Sequence, residues 1–186
     1  MKRAKLSAMV FAATSLSVMA GIAIAQQDKY ALKVPGGLEF AEFRGYESWE
    51  VVATSHSPGL NLIAVIVANP EMIAAYKAGV PDNGKPFPDG AKMAKIHWTP
   101  KVNQYFPDQT VPGALHDVDL MVKDSKRFGD SGGWGWAVFE YDNAAGTFRA
   151  GTETDKPPQG NDAKCGLACH TLVQSRDYVF TEYGKR

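Results

Sequence analysis

Cysteine is almost missing from this chain, with two residues in 186, so a scaffold stapled by several disulfides is excluded. Excess positive charge is missing too. Lys and Arg number 20 and Asp and Glu number 20, which gives no sign of a basic surface for nucleic acid. After the first 25 residues no hydrophobic run is long enough for a membrane span. Internal repeats and low-complexity tracts are also lacking, so the remainder reads as one domain of ordinary size.

The hydrophobic run that does occur is at the start. Met1-Lys-Arg-Ala-Lys5 is positively charged, Ala8 to Ile24 is apolar, and Ala23-Ile24-Ala25 has the small-residue pattern of a cleavage site. These are the three parts of a secretory signal peptide over residues 1–25. Thr14, Ser15 and Ser17 interrupt the run, which speaks against a membrane anchor. Removing Lys2, Arg3 and Lys5 and no acid leaves 17 basic against 20 acidic residues, a net charge of −3 over 161 residues. The expected product is periplasmic or secreted, with no membrane segment after cleavage.

Both cysteines fall in one short stretch, Ala163-Lys-Cys-Gly-Leu-Ala-Cys-His-Thr171. Two thiols about one helical turn apart, followed directly by an imidazole, suit covalent haem attachment: the thiols add to the two vinyl groups and the histidine ligates the iron. The usual spacing is Cys-x-x-Cys-His, and one more residue intervenes here. On a helix a separation of four still leaves the thiols on one face, roughly 40° apart and about 1.5 Å further along the axis, and Gly166 accommodates a local distortion. A disulfide between Cys165 and Cys169 is one alternative, although it gives His170 no part. A zinc or copper site is another, lacking a fourth ligand.

Residues 26–45 are polar and irregular, with a turn at Pro35-Gly36-Gly37, and read as a loosely held arm before a domain over 46–186. Asn61 to Ala68 is apolar and β-branched, as in a buried strand. Asn69-Pro70-Glu71 supplies an N-cap, a first-turn proline and a first-turn acid for a helix ending near Gly79. Pro81 to Gly90 is a loop. In the strand Ala91–Trp98, alternation puts Ala94 and Ile96 on the apolar face and Lys95 and His97 on the other, toward solvent or a pocket. A second loop is expected over Pro100 to Gly113, then a strand near Leu115–Val122 with Asp117, Asp119 and Met121 on one face, a helical turn at Lys123–Phe128, and a strand Trp134–Tyr141. The fold class that results is α+β: a mainly antiparallel sheet with a few short helices.

The chain resembles the cytochrome P460 family from about Tyr46 to Tyr183. The residues that carry the resemblance are Tyr46-x-x-Trp49, Asn69-Pro70-Glu71, Asp89-Gly90 followed by Lys95, Val122-Lys-Asp-Ser-Lys-Arg-Phe128, Gly133-Trp134, Cys165 to His170, and Asp177-Tyr-Val-Phe-Thr181. The resemblance implies one covalent haem c per chain, with Cys165 and Cys169 as thioether residues and His170 as proximal iron ligand. It also implies a lysine joined through its side-chain nitrogen to a haem bridging carbon. Counted from Asp89-Gly90 that lysine is Lys95, with Lys92 as its neighbouring competitor.

Enzymes of this family oxidise hydroxylamine at an open iron position with a distal carboxylate at hand. The matching position here is Asp119, where the family pattern has a glutamate one methylene longer. The function implied is a periplasmic c-type haem protein acting on small nitrogen compounds, with a redox partner protein. A binder of nitric oxide or carbon monoxide on the same scaffold is one alternative. An electron carrier is another, taking a sixth ligand from His56, His97, His116, Met72, Met93 or Met121, of which His97 shares the Lys95 face. An exported, disulfide-stapled binding domain without haem is the remaining one. Family members are often dimers.

Overall fold

In the computed structural model the described residues are 27–34, 38–151 and 166–186. The expected signal peptide, the Pro35-Gly36-Gly37 turn and Cys165 lie outside them. Six strands form one sheet: β1 (Glu50–Ser57), β2 (Leu62–Ala68), β3 (Lys92–Val102), β4 (Thr110–Lys123), β5 (Trp134–Asp142) and β6 (Thr147–Ala150). Their order in the sheet is their order in the chain, and every neighbouring pair is antiparallel. Helices α1 (Pro70–Lys77) and the short α2 (Leu167–His170) accompany the meander, with several single 3₁₀ turns. The expected α+β class with a mainly antiparallel sheet is what is found. No helix of the described residues is long and apolar enough to cross a membrane.

Strand alternation decides which residues meet. On one face, Val67, Ala94, Val118, Leu120, Val122, Ala137 and Phe139 form a core. It is closed by the segment before β1, whose Val34, Leu38, Phe40 and Phe43 are completely or almost completely buried. The Phe40 ring lies 4.6 Å from Phe139 and 5.2 Å from Phe148, centroid to centroid. The expectation of a loosely held arm is therefore corrected. Its few apolar residues are spaced irregularly, so no periodic pattern announces them, yet they are the lid of a core, each contributing about 1.5–3 kcal/mol by burial. Arg127 ties the lid down by donating from both terminal nitrogens to Glu42, at 2.7 and 3.1 Å.

The other face carries Ile66, Met93, Met121, Trp134 and Trp136. Part of it is covered by α1 through Met72, Ile73 and Tyr76, and by Phe87. The helix starts as its sequence requires: the Asn69 side chain accepts from the Met72 N–H at 3.2 Å, a cap worth about 1 kcal/mol. Asn69 also accepts from the Lys92 N–H at 2.9 Å, fixing α1 to the start of β3.

The loop expected over Pro100 to Gly113 is shorter than that. Pro100 lies opposite Pro112, and Val102 opposite Thr110, inside the β3–β4 ladder. Proline signals suggest a loop because the missing N–H weakens a ladder. Here register shifts on either side of Trp98 let the hairpin continue past both prolines.

Candidate functional site

Beside the part covered by α1, the second face borders a cavity of about 540 Å³ that lies between the sheet and residues 166–186. Thr54 and Ser55 of β1, Ile66 of β2, Met93 and Lys95 of β3, Asp119 and Met121 of β4, and Trp136 and Val138 of β5 form its floor. Gly166, Cys169, His170 and Val179 to Glu182 form its roof. The size lies in the range of small-molecule and cofactor pockets. Of the predicted site residues, Lys95, Asp119, Cys169 and His170 all line this one cavity.

His170 ends α2. Its Nδ1 lies 2.6 Å from the Tyr178 carbonyl oxygen, and because a carbonyl can only accept, Nδ1 carries the proton and Nε2 keeps its lone pair. The ring is held between aromatic neighbours, with Trp136 at 5.4 Å and Phe180 at 5.1 Å. Burial lowers the imidazole pKa, the hydrogen bond to Tyr178 opposes that, and the positive charge of Lys95 lowers it further. A neutral imidazole of fixed tautomer is the form that ligates a metal.

Lys95 and Asp119 are register partners across β3 and β4. Lys92, the competing lysine, turns to the opposite face and donates to the Glu42 carbonyl at 2.6 Å, so Lys95 is the cavity lysine. Asp119 belongs to an ionisable cluster at the cavity's edge. His97 Nδ1 is 2.5 Å from Asp117 Oδ1 and 3.7 Å from Asp119 Oδ2, and His116 Nδ1 is 2.7 Å from Asp117 Oδ2. Burial alone would raise the Asp117 pKa, but the hydrogen bonds from His97 and His116 outweigh it and hold the carboxyl below the usual range. His97, Asp117 and Asp119 offer ligand atoms within 4.8 Å of one another, a closeness that their mutual contacts already account for.

His97, singled out from the sequence as a candidate sixth ligand, is buried but absent from the cavity lining. Its ring, two residues beyond Lys95 along β3, is taken by Asp117 of β4. Met93 and Met121 do reach the cavity, whereas His56, His116 and Met72 do not. Among the aromatics of the strands and loops, Phe87, Trp134 and Phe139 are core and Trp136 is cavity wall. Phe106 is 59% exposed at the tip of the β3–β4 hairpin.

Sequence reasoning assigned no part to Tyr178, Lys123 or Asp177. Lys123 Nζ donates to Asp177 Oδ1 at 2.7 Å and to the Gly132 carbonyl at 2.9 Å, and Asp177 Oδ2 accepts from the Phe87 N–H at 2.8 Å. The available signal was that Lys123 and Asp177 sit in the two longest family-like stretches.

The cavity's chemistry fits haem. It offers a neutral imidazole of fixed tautomer, the Cys169 side chain one residue away, and mostly apolar walls. Trp136 adds a buried indole N–H with no hydrogen-bond partner among the described residues. Comparison with curated proteins gives no match. A family model described as Cytochrome P460 matches residues 43–181, a span that runs from the lid of the filled face through all six strands to the cavity roof. With that match over most of its length, the chain belongs to the cytochrome P460 family, and the cofactor this implies is haem.

Proposed function

We propose that this chain is an exported c-type haem protein that oxidises hydroxylamine or a closely related small nitrogen compound. The observation that carries the reading is the gathering of Lys95, Asp119, Cys169 and His170 around one cavity, from strands and a helix far apart in sequence. His170 would hold the iron through Nε2, with Nδ1 fixed on the Tyr178 carbonyl. Cys169, with Cys165, would form the thioether links, and Lys95 would be joined to the haem edge through its side-chain nitrogen. Haem, when bound, would supply the redox chemistry, with a redox partner protein as the destination of the electrons.

Asp119, on the cavity floor, would accept the substrate's protons. Its Oδ2 lies 3.7 Å from His97 Nδ1, and on taking up a proton the carboxylate becomes neutral, so the uptake leaves no new charge against the apolar wall. A second reading, a binder of nitric oxide or carbon monoxide, is favoured by the apolar share of the lining, with Ile66, Met93, Met121 and Val179 around the same space.

Absorption spectra of the protein matured with haem-attachment machinery test the proposal, followed by turnover with hydroxylamine. Covalently retained haem with a strongly red-shifted ferrous Soret band and turnover that falls at least tenfold in Asp119→Ala are expected. Haem retention without turnover moves the conclusion to gas binding. Absence of haem, with a spectrum unaffected by His170→Ala, overturns both.

A further inference from the structure

Asp177 and Tyr178 both have left-handed backbone, with φ of 50° and 63°. For residues with a Cβ such a conformation persists only where the surroundings over-determine it. The surroundings here are specific. Both Asp177 carboxylate oxygens are engaged, one by Lys123 and one by the Phe87 N–H. The ion pair is nearly dry, with side-chain exposures of 6% for Lys123 and 12% for Asp177. Next to it the Tyr178 ring packs directly over Gly132, whose φ is +68° and where any Cβ would overlap the ring. The Tyr178 carbonyl is the acceptor for His170 Nδ1.

Replacing a buried ion pair by apolar groups is often neutral for stability, so stability alone is a weak reason for this one. Its place in the chain of contacts suggests a different one. We propose that Lys123 and Asp177 are positioning residues for His170: the pair pins the left-handed Asp177–Tyr178 backbone, and that backbone aims the carbonyl that orients the imidazole and raises the basicity of Nε2. Neither residue lines the cavity; both act through Tyr178. The inference rests on the haem reading for its consequence, since a more basic proximal nitrogen favours the oxidised iron. It also accounts for why the stretches Val122–Phe128 and Asp177–Thr181 occur together: they are the two halves of one support.

Three variants of the haem-loaded protein test it: Asp177→Ala, Asp177→Gly and Lys123→Met. The readouts are the midpoint potential and the iron–histidine stretching frequency of the ferrous protein. Asp177→Ala and Lys123→Met should raise the potential, by about a tenfold change in the oxidised-to-reduced equilibrium, or about 59 mV for one electron, and should lower the stretching frequency. Asp177→Gly should shift both less than Asp177→Ala, because glycine adopts left-handed backbone without a Cβ penalty.

A folded Asp177→Ala protein with the potential and stretching frequency of the parent overturns the proposal. If the parent retains no haem, the haem reading fails separately. The support is then read in the haem-free chain from the His170 side-chain nitrogen resonances. A protected Nδ1–H that survives Asp177→Ala overturns the positioning role, and one that is lost upholds it.

Discussion

The two faces of the sheet are built from the same strands, one residue out of step, and they have opposite characters. Val118 and Leu120 point into a closed core while Asp117 and Asp119 point the other way; Ala94 and Ile96 alternate with Lys95 and His97; Ala137 and Phe139 alternate with Trp136 and Val138. One face is sealed by Val34, Leu38, Phe40 and Phe43. The other, among the described residues, is only partly covered and keeps a cavity. Because the side-chain period of a strand is two, the filled face fixes the register, and a slip by one residue would bury Lys95 and Asp119 in hydrocarbon. The stability of one face thereby guarantees the placement of chemistry on the other.

This contrast can be broken in graded ways. The largest effect is expected from Phe139→Ala, which empties space beneath Phe40 and the rest of the lid and should cost about 3–5 kcal/mol in urea unfolding. Met93→Ala, on the cavity side, should cost only about 2 kcal/mol, the low end for such a truncation, because Met93 already borders open volume. Equal losses in the two variants would mean that the faces do not differ in packing.

A smaller effect is expected from acid. The Asp117 carboxyl sits below its ordinary value in the folded protein. Its contribution is therefore complete above the unfolded value of about 3.9 and disappears as pH falls through the folded value. Asp117→Asn should flatten part of the acid limb of a stability–pH profile; an unaltered acid limb would show that the His97–Asp117–His116 contacts do not stabilise the fold. The smallest change in stability belongs to Lys95→Ala, within about 0.5 kcal/mol, although under the proposed haem link through Lys95 it should remove the red shift expected of the ferrous Soret band. A large loss of stability there would mean that Lys95 is structural and the cavity face less free than its geometry implies.

Much of this was legible in the sequence for local reasons. Asn69 with Pro70 announced α1, the β-branched run announced β2, and the alternation through Lys95 separated the two faces before any pairing was known. The Cys169-His170 stretch pointed to residues that line the cavity because rare residue types stand together there. What escaped was non-local. The lid residues Phe40 and Phe43 follow no periodic pattern, and the prolines at 100 and 112 could be accommodated only because they lie opposite one another across register shifts. The Lys123–Asp177 pair joins positions 54 residues apart, and left-handed backbone at Asp177 and Tyr178 has no glycine to betray it.

The meander also has a bearing on how the molecule comes together. Each strand pairs with its neighbour in the chain, so the sheet can assemble by successive hairpins with little loop closure, a low-contact-order process. The cavity roof is different. Residues 176–186 reach back to Asp82, Phe87, Lys123, Tyr76 and Val51, over separations from 54 to 135 residues. On this argument the sheet forms first and the roof docks last, so the pocket is open to a large planar ligand until the final step. In hydrogen exchange, amides of β3 and β4 should gain protection during refolding before those of residues 176–181; simultaneous protection would contradict that order.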